Sequence, residues 1–90
     1  MGRGMRIEKK IWPEYFQAIM DGTKTFELRL ADFDCSTGDT LVLREWDPQK
    51  EDYTGRELER EVTYVVRTKD QPFFTAEDVE KYGFQVISFR

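Results

Sequence analysis

The segment Gly22–Arg29 brings a lysine, a glutamate and an arginine close enough together to form a polar binding site. If residues 24–30 form a strand, their side chains alternate between two faces. The apolar face would hold Phe26, Leu28 and Leu30, and the polar face would hold Thr25, Glu27 and Arg29. Such a strand could form the floor of a polar cleft. Alternatively, it could be a solvent-exposed edge strand whose ion pair contributes about 0–1 kcal/mol.

Arg44 and Trp46 form a second candidate pair, because they share a face with Val42 in a predicted strand from Thr40 to Trp46. A guanidinium beside an indole ring suits a phosphate next to a stacked base, as in proteins that bind single strands. Packing of the tryptophan at the rim of the core is the alternative. Glu45 would point to the opposite face as a buried partner for Arg29 or Lys24.

The chain length of 90 residues predicts a single domain with one hydrophobic core. We expect this domain to span residues 5–90, with residues 1–4 as a disordered N-terminal extension. Seven Phe, four Tyr and two Trp would supply much of the buried area. We expect a monomer or a weak dimer.

The absence of histidine and the single cysteine, Cys35, restrict the possible chemistry. These residues cannot supply a zinc site, nor a Cys-His or Ser-His-Asp nucleophile system, so we expect no metal and no cofactor. One cysteine cannot form an internal disulfide, which is typical of the reducing cytoplasm. No apolar run approaches the roughly 20 residues that span a membrane, so no membrane association is expected.

The net charge of −4 argues against non-specific binding of duplex DNA, which requires a broad basic surface. It is compatible with a small basic pocket. The cations near the N-terminus, Arg3, Arg6, Lys9 and Lys10, show that positive charge is locally concentrated.

Helix and strand signals predict an α+β chain of the order β-α-β-β-β-α-β. A first strand is expected at Met5–Lys10, and a helix begins at Trp12-Pro13-Glu14, because proline suits the first helical position. Gly22 is expected to end this helix in a left-handed conformation. The later strands are predicted at residues 24–30, 40–46, 57–67 and 84–89. Thr75 to Asp78 forms a capping-box pattern that opens a short helix through Tyr82.

The spacing Gly22-x-Lys24-x-x-Glu27-x-Arg29 resembles the signature of ASCH domains, which belong to the PUA-like superfamily. An aromatic-rich helix precedes the signature; a Gly38-Asp39 turn, the strand Leu41–Asp47 and the segment Tyr53–Arg56 follow it. This combination is similar to a compact branch of stand-alone bacterial and phage proteins with no assigned activity. The likeness covers residues 5–90. It implies a PUA-like small mixed β-barrel of about five to six strands with two short helices.

The resemblance also implies a cleft beside the signature strand that binds RNA or nucleotides. Some ASCH relatives are amidohydrolases that act on acetylated cytidine, using the signature lysine, a threonine three residues later and a glutamate from a later segment. Lys24 matches the lysine, but Glu27 occupies the threonine position, and Thr25 lies one residue after Lys24. Glu77 is the nearest candidate for the later glutamate. We therefore expect binding rather than catalysis.

The predicted function is recognition of RNA or a nucleotide by one cleft. Its residues are predicted to be Lys24, Glu27, Arg29, Arg44 and Trp46. A base would stack on the aromatic ring, Glu27 would read the edge of the base, and Lys24 and Arg29 would hold phosphate. One alternative is a small amidohydrolase of a modified nucleoside, in which Lys24 and Glu27 are catalytic. Another is an accessory domain for protein interactions, in keeping with the negative charge.

Overall fold

The computed structural model of the chain describes residues 4–68 and 71–82. Its elements are β1 (Arg6–Ile11), α1 (Pro13–Met20), β2 (Thr40–Asp47), β3 (Asp52–Glu61) and α2 (Ala76–Tyr82). The three strands form an open mixed sheet in the order β1-β2-β3. β1 is parallel to β2, and β2 is antiparallel to β3. The prediction of a closed barrel with five to six strands is therefore wrong.

The hydrophobic core lies on the face of the sheet that α1 covers. Because side chains alternate along a strand, Leu41 and Leu43 of β2 point to this face. The core cluster consists of Ile11, Phe16, Ile19, Leu43 and Leu58, with Leu41 packed against it. Phe16 and Leu43 are each only 1% exposed. Burial of each such side chain contributes about 1.5–3 kcal/mol, so this face holds α1 in place.

Helix α1 begins and ends as its sequence predicts. Pro13 occupies the first helical position, where a backbone N–H has no helical partner. Gly22 has a φ of +78°, which a residue with a Cβ rarely adopts. Its N–H donates to the carbonyl of Ile19 at 3.0 Å, and the N–H of Thr23 donates to that of Ala18 at 3.0 Å. The turn therefore closes the helix and directs the next residues back over the sheet.

The predicted strand at residues 24–30 is absent, and this is the main error in the sequence-based fold. The residues from Lys24 to Leu30 have no regular secondary structure, and Leu28 and Leu30 are 70% and 81% exposed. Lys24 donates a hydrogen bond to the carbonyl of Phe26, and Arg29 donates one to the carbonyl of Lys10. Side chains thus occupy carbonyls that a strand ladder would need, which favours an irregular segment.

The second strand of the hairpin, β3, begins earlier in the chain than the sequence pattern predicts. Residues 48–51 form the hairpin turn, and β3 runs from Asp52 to Glu61 rather than from Glu57 to Arg67. Residues 52–56, which lie between two predicted strands, therefore belong to β3. Arg44 pairs with Glu57 and Trp46 pairs with Tyr53, so a single β2 residue faces three β3 residues at a bulge.

The C-terminal helix confirms the predicted capping pattern. The side-chain oxygen of Thr75 accepts the N–H of Asp78 at 3.0 Å, and α2 follows from Ala76 to Tyr82. The predicted last strand at residues 84–89 lies outside the described residues, as do residues 1–3 of the predicted extension. None of the helices in the described part of the chain has the length and apolarity needed to span a bilayer.

Asp39 connects the start of β2 to the chain on both sides of it. The residue is completely buried. Its Oδ1 accepts the N–H of Met5 at 3.1 Å, and its Oδ2 accepts the N–H of Ser36 at 2.9 Å. The predicted turn at Gly38, with a φ of +94°, delivers the carboxylate to this position. Asp39 thereby fixes where the parallel pairing of β1 and β2 begins.

Replacing Asp39 by alanine should lower the free energy of unfolding by about 2–3 kcal/mol, because two backbone N–H groups lose their acceptor. The measurement is urea unfolding followed by tryptophan fluorescence. Asp34→Ala removes an exposed carboxylate from the preceding loop and should change stability by less than about 0.5 kcal/mol. Equal unfolding midpoints for the two variants would contradict the assigned role.

Candidate functional site

Glu27 lies between two cations and forms with them what we call the Lys24 cluster (Lys24, Glu27 and Arg29). One carboxylate oxygen of Glu27 accepts from Lys24 Nζ, and the other accepts from Arg29 Nε at 2.9 Å. The side chains of Lys24 and Glu27 are 17% and 14% exposed. Charges this far removed from solvent are screened less than a surface ion pair. The cluster is therefore a fixed feature of the molecule and carries a net positive charge.

Local backbone contacts place the Lys24 cluster beside the sheet. The N–H of Lys24 donates to the carbonyl of Ala18 at 3.0 Å, so the lysine starts directly from the end of α1. Its Nζ also donates to the carbonyl of Phe26 at 2.7 Å. At the other end of the segment, Arg29 Nη2 donates to the carbonyl of Lys10 in β1. The segment is thus tied to a helix on one side and to a strand on the other.

The carbonyl of Lys10 is available because it lies on the outer edge of β1. The Met5 carbonyl accepts the N–H of Thr40 and so points toward β2. Backbone carbonyls alternate in direction along a strand, so the Lys10 carbonyl, five residues later, points away from β2. Arg29 satisfies this acceptor and holds the irregular segment against the strand edge.

A cavity of about 490 Å³ lies beside the Lys24 cluster. The end of α1, the core face of β2, the segment after Gly22 and the residues that follow β3 form its walls. The charged residues among the described lining are Lys9, Lys24, Glu27, Arg29, Arg60, Glu61 and Arg67. Five of them are basic and two are acidic, an excess of three positive charges, whereas the whole chain carries −4. The part of the lining that the structure describes is therefore positive, although the chain as a whole is acidic.

Aromatic rings are the second feature of this cavity. Phe26, Phe33 and Tyr64 contribute to its lining. Lys9 Nζ lies 3.6 Å from the centroid of the Phe33 ring, and Lys24 Nζ lies 5.0 Å from that of Phe26. A flat ring can stack on such side chains while the neighbouring cations bind phosphate. The arrangement suits a ligand that is both planar and anionic.

Arg44 and Trp46 do not join this cavity. They alternate with Leu41 and Leu43 along β2 and so lie on the opposite face of the sheet. There the Arg44 guanidinium stacks 4.1 Å from the ring centroid of Tyr53, and Lys10 Nζ lies 4.4 Å from that of Trp46. The structure therefore brings together Lys24, Glu27 and Arg29 and separates them from Arg44 and Trp46.

Glu45 is buried, as predicted, but its partners differ from those predicted. It is 3% exposed and accepts hydrogen bonds from Thr54 Oγ1 at 2.6 Å and from Arg56 Nε and Nη2 at 2.9 and 2.8 Å. The Arg56 hydrogen bonds hold the pKa of Glu45 below its usual value of 4.5, with Thr54 adding to this effect against the opposing effect of burial. Neither Lys24 nor Arg29 contacts this carboxylate within the described part of the chain.

The bulge in the hairpin explains why sequence reasoning did not find Arg56. Gly55 has a φ of +95°, and the bulged segment Thr54–Arg56 faces Glu45 alone. Thr54 and Arg56 therefore both reach one carboxylate. The Arg56 guanidinium also lies 4.6 Å from the ring of Phe16 in the core. In the sequence, Gly55 between Thr54 and Arg56 indicated a possible bulge. Which residue the bulge would face depended on the strand register, which the sequence does not show.

The remaining catalytic candidates are dispersed. Thr25 lines the cavity, whereas Glu77 lies in the first turn of α2 and is not among the described lining residues. Within residues 4–68 and 71–82, no three His, Cys, Asp or Glu side chains are grouped to hold a metal ion. The described part of the cavity wall thus brings paired charges together, and the candidate Glu77 lies apart from them.

Residues 8–79 match the family described as "Domain of unknown function (DUF3850)", so the chain belongs to this family. It is also similar to a protein of Escherichia phage P2 named "Uncharacterized 12.9 kDa protein in GpA 3'region". The two are 36% identical over 63 residues, which cover 70% of this chain and 56% of the phage protein. The chain thus matches little more than half the length of that relative. The family match includes both the Lys24 cluster and the Glu45–Arg56 pair.

Replacing Arg56 by methionine should destabilise the fold more at pH 7 than at pH 4. The lowered pKa of Glu45 means that its ionised form stabilises the native state above the unfolded pKa, and that this contribution is lost as the pH falls through the folded pKa. Without Arg56, only the Thr54 hydrogen bond still favours the ionised form of Glu45, and burial opposes it. Urea midpoints at the two pH values measure the difference.

Arg60→Met is the matched control for Arg56→Met, because the Arg60 guanidinium donates only to the carbonyl of Glu59 among the described residues. It should cause a smaller loss of stability with little dependence on pH. If Arg56→Met were equally destabilising at both pH values, the buried carboxylate would not be the cause.

Proposed function

We propose that this member of the DUF3850 family binds a nucleotide, free or within single-stranded RNA, in the cavity beside the Lys24 cluster. The observation that carries the proposal is the excess of three positive charges among the described lining residues, in a chain whose net charge is −4. Aromatic side chains in the same walls add a stacking surface. Together these features fit a ligand with a phosphate and a flat base.

The Lys24 cluster supplies the phosphate contacts in this proposal. Two protons of the Lys24 ammonium are engaged by Glu27 and the Phe26 carbonyl, which leaves a third to donate. Among the described residues, Arg29 uses Nε and Nη2 for Glu27 and Lys10, so its Nη1 protons can donate to an anion. Glu27 mainly positions Lys24 and Arg29, because each of its oxygens accepts a hydrogen bond from one of these cations. Preorganised donors of this kind bind without a large cost of ordering.

The base would stack on Phe26, Phe33 or Tyr64, which line the cavity, rather than on Trp46. The volume of about 490 Å³ falls within the range of about 300–1,000 Å³ for small-ligand pockets. A duplex requires a broad cationic surface, and the negative charge of the rest of the chain opposes one. A single nucleotide or an unpaired strand is therefore the better fit.

The likeness of Gly22–Arg29 to the ASCH signature supports the same ligand class, because the three signature charges are the ones that meet at the cavity. Membership of that superfamily is part of the proposal. The amidohydrolase alternative has weaker support, since Glu27 occupies the position at which those relatives carry a threonine. Mass spectrometry of acetylcytidine incubated with the protein tests it, and turnover lost in Lys24→Met would favour catalysis.

Lys24→Met should weaken nucleotide binding about 10- to 100-fold, because it removes a charge-assisted hydrogen bond and keeps the aliphatic chain. The measurement is calorimetric titration with the four ribonucleoside 5′-monophosphates at low and at physiological ionic strength. Affinity should fall with added salt. Backbone amide NMR shifts should change at Lys24 and Arg29.

Trp46→Leu is the control, because Trp46 lies on the other face of the sheet. It should leave the dissociation constant within about twofold. Wild-type protein that binds none of the four nucleotides would overturn the proposal. Loss of binding in Trp46→Leu, with retention in Lys24→Met, would move the site to the opposite face.

A further inference from the structure

A second cavity, of about 590 Å³, lies next to the first. The two share the lining residues Cys35, Tyr64, Val65, Val66 and Arg67. Beyond this junction the second cavity is lined by Ser36, Thr37 and Gln71, so its far wall is polar. The two cavities therefore adjoin at residues 64–67; the described lining of the first is mainly apolar and cationic, and that of the second adds polar side chains.

Arg67 is the charged residue at the junction of the two cavities. No carboxylate within the described residues pairs with its guanidinium, whereas Lys24 and Arg29 share Glu27. Its backbone is held by Gln71, whose Nε2 donates to the Arg67 carbonyl at 3.1 Å. An arginine with no ion-pair partner among the described residues, between two spaces of nucleotide size, is well placed to bind a phosphate that joins them.

Tyr64 is the aromatic residue at the same junction. Its side chain is 80% exposed and lines both cavities. Exposed aromatic rings along a cationic groove are the means by which proteins hold successive bases of a single strand, each base contributing about 1–3 kcal/mol. The polar side chains beyond Tyr64 can hydrogen-bond to a base edge or a sugar hydroxyl.

We infer that the two adjoining cavities hold two successive nucleotides of a single strand, with the linking phosphate at Arg67 and the second nucleoside between Tyr64 and Ser36. The inference rests on the proposed function and extends it, since it assigns an oligonucleotide rather than a free mononucleotide as the ligand. The first nucleotide keeps its 5′-phosphate at the Lys24 cluster.

Three ligands separate the contribution of the second phosphate to the affinity from that of the second nucleoside. They are the 5′-monophosphate pN, the 3′,5′-bisphosphate pNp and the dinucleotide pNpN, each prepared for the four ribonucleosides. The bisphosphate adds a phosphate alone, and the dinucleotide adds the second nucleoside. We expect affinity to rise from pN to pNp and again, by about tenfold, from pNp to pNpN. Fluorescence or calorimetric titration measures the three dissociation constants.

Ser36→Leu places an apolar side chain in the second cavity and does not touch the first. It should reduce the affinity for pNpN to that for pNp and leave the pN value unchanged. Arg67→Met should remove the advantage of pNp over pN. Gln49→Leu, an exposed substitution in the hairpin turn, is the matched control and should leave all three constants unchanged.

Equal affinities for pN and pNpN would overturn the inference and leave the proposed function standing. Absence of binding by all three ligands would overturn the proposed function itself. Urea unfolding of Ser36→Leu verifies that its fold is retained; if it is not, Gln71→Leu tests the same cavity. If either variant lowered the affinity for pN as much as the affinity for pNpN, the second cavity would not be a separate subsite.

Discussion

The bridge that Glu27 forms between Lys24 and Arg29 is the interaction on which the candidate site depends. Residues 24–30 make no strand pairing, so their position follows from side chains rather than from a backbone ladder. Glu27 neutralises part of the repulsion between two cations that share a partly buried location. Through Arg29 and the Lys10 carbonyl, this bridge attaches the segment to the edge of β1. This attachment therefore holds in place the part of the cavity wall that residues 24–30 form.

Two glutamates thus serve different purposes in one small domain. Glu45 accepts three hydrogen bonds beneath the hairpin, and its Arg56 partner stacks on Phe16, so that carboxylate links the sheet to the packing of α1. Glu27 instead binds two cations at a cavity wall, where their remaining protons can reach a ligand. The contrast arises from burial and donor number: Glu45 is enclosed by one guanidinium and a hydroxyl, whereas the cations around Glu27 exceed its charge.

The features that sequence reasoning predicted correctly depend on neighbours within a few residues. Pro13 at the start of α1, the positive φ of Gly22, the Gly38 turn and the Thr75 cap are all of this kind. The core strand from Thr40 was also found, because it carries the apolar run Leu41–Leu43, in which Val42 and Leu43 are buried on opposite faces. The failures involve partners distant in the chain. Alternation at Phe26, Leu28 and Leu30 resembled a strand, but no ladder forms there and two of the three side chains remain largely exposed.

By itself, the sequence determined the chemical inventory: no histidine, one cysteine, an acidic total charge and a cluster of lysine, glutamate and arginine after a helix-ending glycine. Tertiary structure decided which of these groups meet. The pleat of β2 sends Arg44 and Trp46 away from the face that carries Leu41 and Leu43, and the bulge at Gly55 turns Arg56 toward Glu45. Spacing along the chain specifies the possible faces of an element, but the face that is buried depends on what packs against it. That choice results from the pairing of β1 with β2 and from the burial of α1, both of which join residues far apart in the sequence.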